Sequence, residues 1–135
     1  MNGLQAVDCL AVYLHENQEV QVFKYEKTMG FQGEYIVVNH LPFTFGQLVN
    51  SSNVLNVNIH VPALSTGRAN TTRIAEIYEV VSELIPNDVN VDGELGLNLE
   101  GSYFSISSVS QPMQDKDNTY FLNVRIKLTT NQLKM

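Results

Sequence analysis

The residue best suited to nucleophilic chemistry is the single cysteine, Cys9. It lies inside a predicted helix, and no Lys or Arg precedes Lys24 in the chain. A reactive thiolate usually needs a helix N-terminus or a positive neighbour, and free cysteine is commonly a small buried packing residue. The serines show no G-x-S-x-G nucleophile elbow. We therefore expect Cys9 to pack rather than react, we name no catalytic residue, and we do not expect an enzyme.

Histidine is the most common metal ligand, and this chain has three histidines, His15, His40 and His60. They are far apart in sequence, and no H-x-H, H-E-x-x-H or C-x-x-C motif occurs. The sequence therefore predicts neither a metal site nor a cofactor.

Three carboxylates, Glu76, Glu79 and Glu83, share one face of a predicted helix. Such a row can coordinate a cation inside a helical bundle, where it is usually accompanied by a Glu-x-x-His pair. No such pair is present, and the row points away from the helix's apolar stripe. We interpret it as a solvated acidic face.

The most basic stretch, residues 66–73, precedes the same helix. Backbone N–H groups at a helix N-terminus favour anions, but this stretch lacks the G-K-[ST] ending of a phosphate-binding loop. We favour a capped loop whose arginines form salt bridges to a neighbour over an anion site. The candidate residues for a subunit-interface loop are Arg68, Asn70, Thr71 and Arg73.

Charge is unevenly distributed along the chain, which has 14 acidic and 8 basic residues and a formal net charge of −6. This balance argues against broad nucleic-acid binding, which needs a basic surface. Residues 74–114 contain no Lys or Arg. The candidate acidic surface in this stretch comprises Glu76, Glu79, Glu83, Asp88, Asp92 and Glu94. A charge-segregated subunit can associate head to tail with its own copies and close into a ring, although chance unevenness explains the pattern equally well.

Hydrophobic periodicity predicts the elements that must position these residues. Apolar residues at steps of three and four indicate helices over residues 3–16 and 72–85. The stripe of the first helix comprises Leu4, Val7, Leu10, Ala11 and Leu14. Asn70 or Thr71 can cap the second helix, and Pro86 ends it.

Alternating patterns predict strands near residues 20–25, 34–41, 53–61, 103–109 and 119–129. In the clearest one, residues 53–61, one side is apolar and the other carries Asn56, Asn58 and His60. That polar, uncharged side is compatible with a wet protein interface and equally with solvent exposure. In the last strand Phe121 falls on the polar side, against the pattern. We expect residues 111–118 to form a polar loop.

The predicted order is α-β-β-β-α-β-β, with room for one extra short strand near Leu97. Consecutive strands joined by short loops pair antiparallel, and two amphipathic helices bury their stripes best against one side of a sheet. We therefore predict an α+β fold with a mostly antiparallel β-sheet and both helices packed on one face. The whole chain, residues 1–135, is predicted to be a single domain with a frayed tail over residues 130–135.

This order of elements resembles the tail-completion, or tail-terminator, proteins of long-tailed bacteriophages, which join the head to the tail. The resemblance covers most of the chain and is carried by patterns of hydrophobicity. It includes the helix from Leu4 to Leu14, the strand segments V-Q-V-F and Y-I-V-V, and the alternating V-N-I-H-V. The helix segment I-A-E-I-Y and a closing hairpin that ends in residues 120–128 complete it.

The resemblance implies a structural virion protein of a phage or prophage. Such proteins form a homo-oligomeric ring, typically a hexamer, that terminates the tail tube and contacts tail-tube and head-completion proteins. DNA passes through the ring without being specifically bound, and a negative subunit suits a channel that must not retain DNA. The implied location is the virion, and the bacterial cytoplasm during assembly, with no membrane partner.

Three alternatives remain open. The chain could be another phage neck or connector protein, a small ligand-binding or enzymatic α+β domain, or a regulatory or interaction domain of a bacterial cell. A convergent polar pocket with perturbed ionisable groups would favour the ligand-binding or enzymatic domain. A large subunit interface without a deep pocket would favour the ring.

Overall fold

The computed structural model describes residues 1–43, 50–87, 96–116 and 118–131. Three of the predicted acidic-surface residues, Asp88, Asp92 and Glu94, lie outside the described residues, as do residues 132–135 of the predicted tail. The described residues form two α-helices and seven β-strands in a mostly antiparallel sheet, which confirms the predicted α+β class.

Both helices begin at an asparagine cap. Helix α1 spans Gly3–Asn17, and the Asn2 side chain accepts a hydrogen bond from the backbone N–H of Gln5, whose side chain in turn accepts from the Asn2 backbone. This reciprocal capping box was not anticipated. Helix α2 spans Thr71–Leu84 and is capped by Asn70, one of the two residues that the sequence offered for this role. Each cap satisfies N–H groups that have no partner within the helix.

The strands form one sheet in the order β1-β2-β3-β7-β5-β4, with β6 also paired to β7. Their bounds are β1 Gln21–Lys24, β2 Tyr35–His40, β3 Asn50–Pro62, β4 Leu97–Leu99, β5 Ser102–Val109, β6 Met113–Asp115 and β7 Thr119–Asn131. The long strands β3 and β7 pair along their whole length at the centre of the sheet. Strand β7 runs through Asn131, so residues 130 and 131 belong to it rather than to a frayed tail.

Two features of the sheet differ from the sequence prediction. Strands β1 and β2 are parallel. The connection between them, residues 25–34, returns to the end of the sheet at which β1 begins, so β2 runs in the same direction as β1. The predicted polar loop at residues 111–118 contains the short strand β6. Backbone pairing to β7 holds this strand in place, and its side chains are largely exposed. Its sequence therefore lacks the alternation of polar and apolar residues by which a strand is predicted.

The core lies between the helices and one side of the sheet, which we call the core face. Leu55, Val57 and Ile59 of β3 and Val124 and Ile126 of β7 are completely buried there. From the helices, Leu10, Leu14, Ile77 and Val81 pack into the same cluster. Leu4 was predicted to belong to the stripe of α1 but is 62% exposed. The buried positions centre on Gly3, Val7 and Leu10, which leaves Leu4 on the flank of the first turn.

Candidate functional site

The opposite side of the sheet, which we call the second face, gathers the polar and aromatic residues of three adjacent strands. Side chains alternate between the two sides of a strand, and the register places Asn58 beside Asn123 and His60 beside both Tyr35 and Phe121. The second face comprises Tyr35, Val37 and Asn39 of β2, Asn56, Asn58 and His60 of β3, and Phe121, Asn123, Arg125 and Lys127 of β7.

Four asparagines form a hydrogen-bonded row across this face. The Asn123 amide nitrogen donates to Oδ1 of Asn58 at 2.7 Å and to Oδ1 of Asn56 at 3.1 Å. The Asn56 amide donates in turn to Oδ1 of Asn39 at 2.9 Å. These half-buried side chains hold each other in one arrangement, so a partner that docks on them finds preordered donors and acceptors.

Beside this row, His60 is enclosed by aromatic rings. Its imidazole stacks on Tyr35, with ring centroids 4.4 Å apart and planes within 7°, and on Phe121 at 5.2 Å and 22°. This stacking explains why Phe121 interrupts the polar side of its strand, which the sequence pattern left unexplained. The aromatic cluster continues to Phe23 and Phe31, whose rings meet each other edge-on at 5.1 Å and Tyr35 at 5.9 Å.

His60 carries the most constrained ionisable group on the second face. Its side chain is 10% exposed, and its Nδ1 lies 3.5 Å from the Asp115 carboxylate without a hydrogen bond to any described residue. Burial lowers the pKa of His60 below its ordinary value; Asp115 opposes this shift, and Lys27 adds to it. The neutral form of the imidazole is therefore favoured within the stacked aromatic rings.

A cavity of about 640 Å³ lies beside the aromatic cluster, under the connection between β1 and β2. Its lining includes Lys27, Phe31, Tyr35, Pro62 and Thr119, and Lys27 carries the only charged side chain among the lining residues that the structure describes. The Lys27 ammonium also lies 5.4 Å from the centre of the Tyr35 ring. The volume is that of a small-molecule site, but the buried His60 imidazole does not line the cavity.

Two of the four residues predicted for the interface loop make contacts within the chain, and the other two are exposed. Arg73 forms a fork with Glu34, at 2.5 Å from Nε and 2.8 Å from Nη2, and a third contact with Glu76 at 3.2 Å. Hydrogen bonds to these carboxylates raise the pKa of Arg73, and its guanidinium ties α2 to the start of β2. Asn70 is the helix cap, whereas Arg68 and Thr71 are exposed.

Cys9 does not have the environment of a nucleophile. Its thiol donates to the Glu100 carboxylate, and partial burial together with that carboxylate raises its pKa to about 11. The thiolate is therefore scarce at neutral pH. This thiol borders a second cavity of about 440 Å³, lined by residues of α1 together with Leu99 at the end of β4 and Glu100 after it.

The histidines also stay apart. His15 is exposed on α1, and the His40 ring packs so closely against Gly3 that a Cβ there would lie 2.6 Å from it. Within the described ranges, no cluster of three or more His, Cys, Asp or Glu side chains could hold a metal ion. The carboxylates of Glu76, Glu79 and Glu83 are exposed along α2, on the side predicted for them.

Among the described residues, no helix is long and apolar enough to cross a membrane. Comparisons with protein-family models and with curated proteins find no match to this chain.

Proposed function

We propose that this chain is a structural, non-catalytic virion protein of a phage or prophage, a subunit of the ring that terminates the tail tube and joins it to the head. The observation that carries the proposal is the second face. Asn39, Asn56, Asn58 and Asn123 form an ordered row of amides there, next to stacked aromatic rings. A preordered polar and aromatic surface of this kind suits protein contacts, which are enriched in aromatic residues and hydrogen bonds.

The order of elements adds support. The chain begins with a helix, which is followed by three strands, a second helix and a terminal group of strands. This is the order of the phage proteins that the sequence resembles. The functional consequence would be a ring in the virion, assembled in the bacterial cytoplasm, that contacts tail-tube and head-completion proteins. The exposed Glu76, Glu79 and Glu83 keep the subunit surface acidic, and the net charge of −6 disfavours retention of DNA in a channel.

The second candidate function is the binding of a small molecule in the cavity beside Tyr35. Its volume of about 640 Å³ favours this alternative, since ligand sites commonly have ~300–1,000 Å³. The lining argues against it, because no second charged side chain joins Lys27 among the described lining residues. Phe31→Ala separates the two functions, because it removes one wall of the cavity, while Phe31 belongs neither to the asparagine row nor to the rings stacked on His60.

The test is assembly on tail tubes. Tubes polymerised from the tail-tube protein encoded beside this chain's gene should acquire a ring at one end when the purified chain is added, as seen by negative-stain electron microscopy. The ring should stop further tube growth, and Phe31→Ala should still form it. A chain that neither forms rings nor binds tubes, or a gene with no tail-tube or tape-measure gene nearby, would contradict the proposal.

A further inference from the structure

Two surfaces on opposite sides of the molecule carry charges of opposite sign. On the second face, β7 carries Arg125 and Lys127, and the asparagine row beside them is uncharged. On the other side of the molecule, α2 presents Glu76, Glu79 and Glu83 to solvent. We call the first surface the basic sheet surface and the second the acidic helix surface.

Arg125 is the cation on the basic sheet surface that is available to a partner. Its side chain is exposed, and its cross-strand neighbours are the neutral residues Asn56 and Ser108. The guanidinium forms no ion pair within the described part of the chain, whereas Lys24 and Arg73 are paired with Asp8 and Glu34. Arg125 can therefore form its charge-assisted hydrogen bonds with another molecule without breaking internal ones.

The acidic helix surface is short of positive charge. Glu76 shares the Arg73 guanidinium, but Glu79 and Glu83 contact no cation among the described residues. These two carboxylates are four residues apart on one helix, so they repel each other, and like charges at this spacing destabilise a helix. A cation from outside relieves that repulsion. Val80, next to Glu79, is 41% exposed and adds apolar area to the same surface.

We propose that the basic sheet surface of one copy binds the acidic helix surface of a second copy, with Arg125 of one subunit between Glu79 and Glu83 of the next. This inference rests on the proposed function, in which the chain forms a ring, and it names the surfaces that join. The two surfaces of a pair are different, so the contact is head to tail and repeats from subunit to subunit until the ring closes. The short asparagine side chains beside Arg125 let a helix approach the sheet closely.

Charge reversal with rescue tests the contact. Arg125→Glu places like charges across the contact, and so does Glu79→Arg combined with Glu83→Arg. Each variant alone should associate at least ~10-fold more weakly than the unchanged chain, because like charges across an interface are strongly unfavourable. An equimolar mixture of the two variants restores opposite charges at every contact of an alternating ring. That mixture should therefore associate again, as measured by sedimentation velocity over a concentration series.

Lys116→Glu is the matched control, because Lys116 is an exposed cation in the turn after β6, outside both surfaces and outside the predicted interface loop. It makes the same charge change and should leave association within about twofold of the unchanged chain. Circular dichroism confirms that each variant is folded. Added salt should weaken association of the unchanged chain, since the contact is an exposed charge pairing.

The outcomes separate this inference from the proposed function. Three results would overturn the named surfaces and leave the ring function standing. They are rings that persist in Arg125→Glu, a mixture of the two variants that does not associate again, and loss of association in Lys116→Glu while Arg125→Glu still associates. A chain that stays monomeric at every concentration, with and without tail tubes, would overturn both.

Discussion

The two faces of the sheet are built on the same strands but are stabilised differently. The core face is apolar and covered by both helices, so burial of apolar area stabilises it, and this contribution has no directional requirement. The second face depends on ring stacking around His60 and on directed hydrogen bonds among asparagines. The comparison shows that one face holds the fold together, while the other keeps an ordered surface that a partner can recognise.

The largest effect is expected on the core face. Ile77 is 3% exposed in the middle of α2. Ile77→Ala should lower the free energy of unfolding by about 2–5 kcal/mol, because it leaves a cavity under the helix. Glu79→Ala on the opposite side of the same helix should change it by less than ~0.5 kcal/mol. Urea denaturation measures both, and equal losses would mean that the two sides of α2 are wrongly assigned.

A smaller loss is expected from the aromatic part of the second face. Phe121→Ala removes a half-buried ring that stacks on His60, and should cost about 2–3 kcal/mol. Phe121→Tyr keeps the ring and should cost much less. Thermal unfolding followed by circular dichroism compares the two variants. If Phe121→Ala costs as much as Ile77→Ala, the second face is a core in its own right.

The asparagine row should contribute less to the free energy of unfolding than the aromatic rings do. Asn123→Ala removes two donated hydrogen bonds and leaves Oδ1 of Asn58 without its partner, for an expected loss of about 1–2 kcal/mol. Asn123→Asp is the sharper variant, because a carboxylate cannot donate to Asn56 or Asn58 and repels their oxygens. We expect it to be less stable than Asn123→Ala at pH 7 in the same urea measurement, and the reverse order would contradict the hydrogen-bond directions.

The smallest effect is a dependence of stability on pH that originates at His60. Its pKa is lowered in the folded chain, so the unfolded chain binds the proton more readily. Stability should be fully retained above the ordinary histidine pKa of about 6.5 and should decrease as the pH falls from there through the folded pKa. His60→Gln should flatten this part of the pH profile relative to the unchanged chain. His15→Gln, at an exposed position, should not, and an unchanged slope in His60→Gln would place the titrating group elsewhere.

Most of the secondary structure was predictable because it follows from local patterns. Steps of three and four located both helices, and strict alternation in β3 placed Leu55 and Val57 opposite Asn56 and Asn58. The errors arose where the tertiary arrangement determines whether a residue is buried or a segment is paired in the sheet. Leu4 has the right spacing but lies on the flank of α1, and β6 is held by backbone pairing that leaves no side-chain pattern.

Only part of the second face could be predicted from the sequence. The alternation showed that Asn56, Asn58 and His60 share one side of a strand, and that Phe121 is out of place on its own strand. Strand pairing across 65 residues of chain, as between Asn58 and Asn123, leaves no local signal, so neither the asparagine row nor the His60 stack could be predicted.

By itself, the sequence determined where both helices and the longer strands lie and which side of them is mostly buried, because those properties depend on the period of the side chains along the chain. Only the tertiary structure decided which strands are neighbours. It thereby brought Tyr35, His60 and Phe121 into one stack and paired Arg73 with Glu34. It also left Arg125 on the second face without an ion pair to any residue that the structure describes. The physical reason is that contacts between distant segments are selected by the packing of the whole sheet, on which local periodicity has no influence.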